Sequence, residues 1–192
     1  MRVFVAIELD EAVKAAAADV AERLRQRIRQ TASDIEARWV APENFHLTLW
    51  FIGEVPDPDV DAIASALQRL SGTCAAFDLE LAGCGAFPPS GAPRVFWVGV
   101  RRGAGDAKAL YAGTAAALAP LGFLPERREY SAHLTLARVK GIGRAPARLI
   151  RSVVSETPAS CGISRVATVT LFRSRLSPRG STYEPLVRVP LT

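Results

Sequence analysis

The sequence predicts an α+β fold: duplicated strand-helix-strand-helix-strand units, bilobal and pseudo-twofold, with two antiparallel-rich sheets flanking a central cleft and helices outside. Three observations predict it. The order strand, helix, strand, helix, strand occurs twice in 192 residues. The tetrapeptide His46-Leu47-Thr48-Leu49 returns as His133-Leu134-Thr135-Leu136, 87 positions later (133 − 46). Between the copies lies a Pro/Gly segment, Gly85-Ala86-Phe87-Pro88-Pro89-Ser90-Gly91-Ala92-Pro93, whose composition interrupts regular structure.

The elements follow in order. Arg2-Val3-Phe4-Val5-Ala6-Ile7 opens the first half and Arg94-Val95-Phe96-Trp97-Val98-Gly99-Val100 the second, both rich in β-branched and aromatic residues and both read as strands. Asp10 is placed to cap a helix whose apolar positions Val13, Ala17, Val20, Leu24 and Ile28 recur at helical spacing. Ala107, Leu110, Thr114, Ala117 and Leu118 repeat that pattern before Pro120 and Gly122 end it. Each HLTL strand is followed by another amphipathic helix, through Val60, Ile63, Leu67 and Leu70, then through Leu149, Ile150, Val153 and Val154. Phe77–Leu81 and Val166–Leu171 read as closing strands, and Tyr183–Val189 as a last extended segment paired with one of the sheets. The whole chain, 1–192, is thus expected to form one bilobal domain. Its first repeat covers about 1–85, the linker about 86–93, the second repeat about 94–175 and the C-terminal strand about 182–190.

Composition narrows the class. Hydrophobic residues make up 49% and charged residues 22%, enough apolar material for a real core. The formal charge of +5 favours polyanionic partners, but the 24 Lys and Arg residues form no dense run. Three cysteines, Cys74, Cys84 and Cys161, match neither a disulfide framework nor metal-ligand spacing, which points to a reducing compartment. The opening apolar run is shorter than a signal peptide requires, and no stretch approaches the roughly 20 apolar residues of a membrane helix. A soluble cytoplasmic protein without membrane contact is the expectation.

The only two histidines both lie in HLTL. Strand alternation puts His46 with Thr48, and His133 with Thr135, on one face, and the leucines on the other. A pseudo-twofold would bring the two His/Thr pairs face to face across a cleft. Two imidazoles and two hydroxyls are what metal-free phosphodiester cleavage needs. One neutral imidazole takes a proton from the attacking oxygen, and one imidazolium returns a proton to the leaving oxygen. The hydroxyls hydrogen-bond the non-bridging oxygens, and in-line displacement demands one histidine on each side of phosphorus. A lone strand histidine is more often structural; duplication in duplicated context reverses the odds. A zinc site is the poorer reading, because no Cys, Asp or Glu stands at ligand spacing near either histidine.

These residues resemble the bacterial and archaeal RNA 2′,3′-cyclic phosphodiesterases, also called 2′-5′ RNA ligases, of the two-histidine phosphoesterase superfamily. The resemblance runs nearly end to end. It is carried by Arg2–Ile7, Arg38-Trp39-Val40-Ala41-Pro42-Glu43-Asn44-Phe45 leading into the first HLTL, and Phe51-Ile52-Gly53-Glu54-Val55. Gly85–Pro88, Pro93–Trp97, His133–Arg138, Arg173–Pro178 and Tyr183-Glu184 continue it. It implies hydrolysis of an RNA-terminal 2′,3′-cyclic phosphate to a 2′-phosphomonoester, with His46 as proton donor to the departing 3′ oxygen and His133 as proton acceptor from water. A 5′-hydroxyl in place of water would give a 2′-5′ linkage without ATP, and no GxxxxGK[ST] loop occurs. The implied partner is RNA with a cyclic phosphate end, tRNA fragments included. Neither cofactor nor metal is implied, and a monomer is expected because the second lobe supplies the second half-site.

Around the motifs, Arg128 stands where family members carry a recurrent arginine, either as a phosphate-binding fork or as a solvated loop charge. Phe45, Trp50 and Tyr130 are candidates for base stacking, against core or cleft-edge packing as the alternative. Trp50 occupies a position often basic in the family, and by parity lies on the His/Thr face. Ala132 replaces a frequent proline. Arg138, Lys140 and Arg144 read better as a solvated face than as an RNA track. The same motifs also admit a small cyclic nucleotide, ADP-ribose cyclic phosphate or a 2′-5′ oligonucleotide as substrate, or a non-catalytic RNA-end-binding role.

Overall fold

The computed structural model describes residues 1–125, 129–177 and 180–192, the side chain of residue 176 excepted. Strands β1 (Arg2–Glu8), β3 (His46–Glu54), β8 (Thr168–Ser177) and β9 (Gly180–Pro190) form a four-stranded sheet in the order β3-β1-β8-β9. Strands β2 (Glu36–Trp39), β4 (Phe77–Phe87), β5 (Val95–Arg102), β6 (His133–Gly141) and β7 (Ser160–Val166) form a five-stranded sheet in the order β2-β6-β5-β4-β7. Every pairing is antiparallel. The fold is the expected α+β arrangement of two antiparallel sheets.

The helices α1 (Glu11–Thr31), α2 (Asp57–Gln68), α3 (Ala104–Leu118) and α4 (Ala147–Ser155) cover the sheets. Helix α1 buries Val13, Ala17, Val20, Ala21, Leu24 and Ile28, the stripe its periodicity predicts. Asp10 stands at its N-cap without bonding the first turn; its Oδ2 instead accepts the backbone N–H of Arg165 (3.0 Å), tying the helix start to β7. All five apolar positions expected of α3 are buried. In α4, Ile150, Val153 and Val154 are buried while Leu149 is exposed. Among the described residues no helix is long and apolar enough to cross a membrane.

Two boundaries differ from expectation. β4 runs to Phe87, past Gly85 and Ala86, because Gly85 lacks the Cβ that would meet the Trp97 ring at 2.2 Å. The indole of Trp97 lies over the glycine across the β4–β5 pair, so Gly85 here permits a strand rather than ending it. The segment read as one closing strand from Val166 divides at Ala167, with β7 in one sheet and β8 in the other.

The topology exchanges strands between the halves. β4, from the first half, lies between β5 and β7, and β8, from the second, lies beside β1. The order β3-β1-β8 is thereby matched by β6-β5-β4. The first-half helix α1 packs on β6 and β7, and the second-half helix α3 on β3. A single buried apolar cluster runs through both sheets and all four helices. A small second cluster, Phe4, Ala6 and Phe172 with Tyr183 packed against it, lies on the opposite face of the four-stranded sheet.

Candidate active site

Each HLTL begins its strand, β3 or β6, and the two strands pack against one another. In both motifs the leucines are buried while the histidine and threonine stay half-exposed, as alternation requires. Alternation then fails at the same place in both. Thr48 lies opposite Ala6 and Trp50 opposite Val5, which passes over Leu49; Thr135 lies opposite Trp97 and Ala137 opposite Phe96, which passes over Leu136. A β-bulge at the fourth motif residue shifts parity by one. Trp50 and Ala137 turn into the core, and Phe51 and Arg138 turn to the His/Thr face.

The open face carries a cavity of about 380 Å³ lined by His46, Thr48 and Thr135, together with Phe51 and Arg138. Arg2, Asn44, Ser174, Ser181 and Tyr183 extend it along β1 and the β8–β9 hairpin. Asn44 Nδ2 donates to the Ser181 carbonyl (2.8 Å), fixing that hairpin against the approach to β3.

The two histidines are held alike. His46 Nδ1 lies 2.7 Å from the carbonyl oxygen of Asn44, and His133 Nδ1 lies 2.7 Å from that of Ser131, in each case two residues back. A carbonyl only accepts, so Nδ1 carries hydrogen in both rings and Nε2 is left for chemistry. His46 Nε2 stands 3.0 Å from Thr48 Oγ1. Phe4 packs against the His46 ring at 5.0 Å, and Tyr183 meets it edge-on at 5.1 Å. Phe87 meets His133 edge-on at 5.0 Å.

Burial among these rings pulls the His46 pKa down to about 4, against the pull of the Asn44 carbonyl, and the charges of Arg138, His133 and Lys14 lower it further. Glu8, in register with His46 across the β1–β3 pair, is engaged elsewhere: it accepts from Arg188 Nε (2.8 Å) and Thr170 Oγ1 (2.6 Å). The Arg188 bond, chiefly, holds its carboxyl below the ordinary range. Among the described residues no three His, Cys, Asp or Glu side chains gather as a metal site requires. A neutral imidazole and two hydroxyls in one cleft, with a guanidinium further along its wall, suit an oxyanion, and a bound anion would draw a proton onto His46.

The other expected contributors are placed differently. Phe45 and Trp50 are buried core residues, 2% and 6% exposed, so neither can stack on a base. Trp50 instead stacks on Tyr111 of α3 at 5.4 Å, and Tyr111 on Tyr130 at 4.5 Å. Tyr130 belongs to this stack and does not line the cavity; burial pushes its hydroxyl pKa up. Arg128 lies outside the described residues. Arg138, read from the sequence as part of a solvated face, lines the cleft, and so does Phe51, 53% exposed; unbroken alternation would turn both away from it, and the pairing register reveals them.

Two antiparallel sheets bearing duplicated His-x-Thr strands that pack together define the two-histidine class of phosphoesterases. The sequence matches the LigT like phosphoesterase family twice, over residues 12–97 and 98–183. The chain belongs to that family. It is 38% identical to an RNA 2′,3′-cyclic phosphodiesterase of Aeropyrum pernix over 167 residues, 87% of this chain and 92% of the relative. It is 33% identical to one of Archaeoglobus fulgidus over 186 residues, 97% and 98% of the two chains. A crystal structure of a Thermus thermophilus protein superimposes with a TM-score of 0.80 at 30% identity, covering 99% of this chain and 97% of the other. Escherichia coli LigT complexed with 3′-AMP superimposes at 0.72 and 26% identity, covering 100% and 98%.

Proposed function

We propose that the protein opens 2′,3′-cyclic phosphates at RNA ends to 2′-phosphomonoesters, using His46 and His133 as an acid–base pair and no metal. The observation that carries this reading is the joint lining of one cleft by His46 and Thr48 of the first motif and Thr135 of the second, on strands that pack against one another. Relatives named RNA 2′,3′-cyclic phosphodiesterase over nearly the whole chain support the substrate.

His133 Nε2, with its Nδ1–H engaged by the Ser131 carbonyl, takes the proton from water as its oxygen attacks phosphorus. The 3′ O–P bond breaks on the opposite side, and His46 Nε2–H protonates the leaving 3′ oxygen. Thr48 and Thr135 hydroxyls hydrogen-bond the non-bridging oxygens. Since His46 is neutral near pH 7 in the free protein, its catalytic proton arrives with the anionic substrate. A 5′-hydroxyl of a second RNA in place of water would form a 2′-5′ bond by the same steps. We place the protein in the cytoplasm as a monomer.

The test is an RNA ending in a 2′,3′-cyclic phosphate, incubated in EDTA without ATP, with the product phosphate mapped. A 2′-phosphate is expected, and His46→Ala or His133→Ala should each lose about 10²–10⁴ in rate while remaining folded. Full turnover by either variant, or a 3′-phosphate product, would sink the assignment. Adding a 5′-hydroxyl RNA to the same reaction reads ligation.

A further inference from the structure

β2 and β6 set two arginines directly opposite one another, Arg38 in register with Arg138. Cross-strand partners share a face about 5 Å apart, and like charges so placed repel. Both side chains are exposed, and among the described residues neither meets a carboxylate. Four other exposed arginines on these sheets are matched with acids: Arg102 and Arg165 with Asp78, Arg175 with Glu184, Arg188 with Glu8. Beside the cleft the surface keeps a repulsive pair instead.

The face is the cleft face. Arg138 lines the cavity with Thr135; Trp39, opposite buried Ala137, turns to the helix side, and Val40 returns to the cavity. Arg38 Nη2 lies 3.4 Å from where a Cβ on Gly180 would stand, so its guanidinium reaches the β8–β9 hairpin of the other sheet. The pair therefore spans the mouth of the cleft from one sheet to the other. It lies past the His/Thr pairs: Thr135 faces Trp97 and Arg138 faces Val95, so across the bulge Arg138 is the next cleft-face residue, about 7 Å along the strand, and Arg38 is one strand further out.

We propose that Arg38 and Arg138 clamp a second phosphate, the phosphodiester on the 5′ side of the terminal nucleotide, so that the substrate is an RNA end of at least two nucleotides. This rests on the cyclic-phosphate reading above. Two guanidinium forks converging on one phosphate turn the mutual repulsion into attraction. A cyclic mononucleotide, which has no such phosphate, leaves the clamp empty.

The experiment compares kcat/KM for a cyclic mononucleotide with that for a dinucleotide ending in a 2′,3′-cyclic phosphate, in wild type, Arg38→Ala and Arg38→Lys. Wild type should prefer the dinucleotide by tenfold or more. Arg38→Ala should lose at least tenfold more on the dinucleotide than on the mononucleotide, and Arg38→Lys should recover part of it. The salt slope for dinucleotide binding should be steeper than for the mononucleotide by roughly 0.7, the single-strand increment for one phosphate. Equal losses on both substrates, or none on either, would overturn the clamp. Binding of a dinucleotide 3′-phosphate against a mononucleotide 3′-phosphate, measured by calorimetry, reads it without turnover. If nothing is hydrolysed yet Arg38→Ala abolishes the dinucleotide's advantage, the reaction is wrong and the clamp stands; if there is no advantage, the clamp fails.

Discussion

The His46 imidazole combines two requirements that oppose each other. Its ring must sit among Phe4, Phe172 and Tyr183 to be aimed, and those rings remove the water that would stabilise its charge. With a folded pKa near 4, below the ordinary value of about 6.5, the unfolded chain is the better proton binder. His46 therefore stabilises the fold above about pH 6.5, and that contribution is lost as pH falls toward 4, by roughly 3 kcal/mol at most. A phosphate anion in the cleft reverses the bias and raises the pKa. Because the chain has two histidines, imidazole resonances give a two-line titration, assigned with His133→Ala. One line should titrate near pH 4 in the free protein and move up by more than a unit with 3′-AMP. Two lines near 6.5, indifferent to the nucleotide, would refute this account. In kinetics the protonated form of His46 is the active one, so it sets the alkaline limb: kcat/KM, which reports the free protein, should fall as pH rises through about 4, whereas the corresponding limb of kcat should lie higher.

At the scale of the strand, the bulge decides which residues meet substrate. The duplicated motif made His46, Thr48, His133 and Thr135 legible in the sequence, because two residues apart is one face whatever follows. It could not reveal Phe51 and Arg138, since one passed-over residue in the pairing reverses every later assignment. Trp50 and Phe51 are therefore chain neighbours with opposite duties. Trp50→Ala empties a site against Tyr111 and should cost about 3–5 kcal/mol in denaturant unfolding, with KM for a dinucleotide substrate little changed. Phe51→Ala removes an exposed ring from the cavity wall. It should leave stability within about 0.5 kcal/mol and raise KM around tenfold, the worth of one lost base–aromatic stack. The reverse pattern would mean that alternation runs unbroken through β3.

At the scale of the molecule, apolar periodicity reports which face of an element is buried but not against which neighbour, so the duplication was legible while the exchange of strands was not. β4 and β8 each close a sequence half, yet each hydrogen-bonds into the sheet of the other, and α1 and α3 cross in the same sense. The exchange matters for the cleft, because it makes the spacing between the HLTL strands a property of one continuous core rather than of two lobes docked by their surfaces. Arg151 of α4 adds to the connection, its Nε and Nη2 donating to the Gly91 carbonyl (3.1 and 2.8 Å) in the segment joining β4 to β5. Neither half should then fold alone. A fragment ending at residue 91 lacks every strand that pairs with β4, and a fragment from 92 onward lacks β1, the strand on which β8 is laid. Expressed separately, each should lack a dispersed amide spectrum, whereas the two mixed should regain the spectrum and the phosphodiesterase activity together. The intact chain should unfold in a single transition that coincides by fluorescence and circular dichroism. A folded isolated half, or two separated transitions, would show that the exchanged strands are dispensable and that the histidines are aligned by surface docking instead.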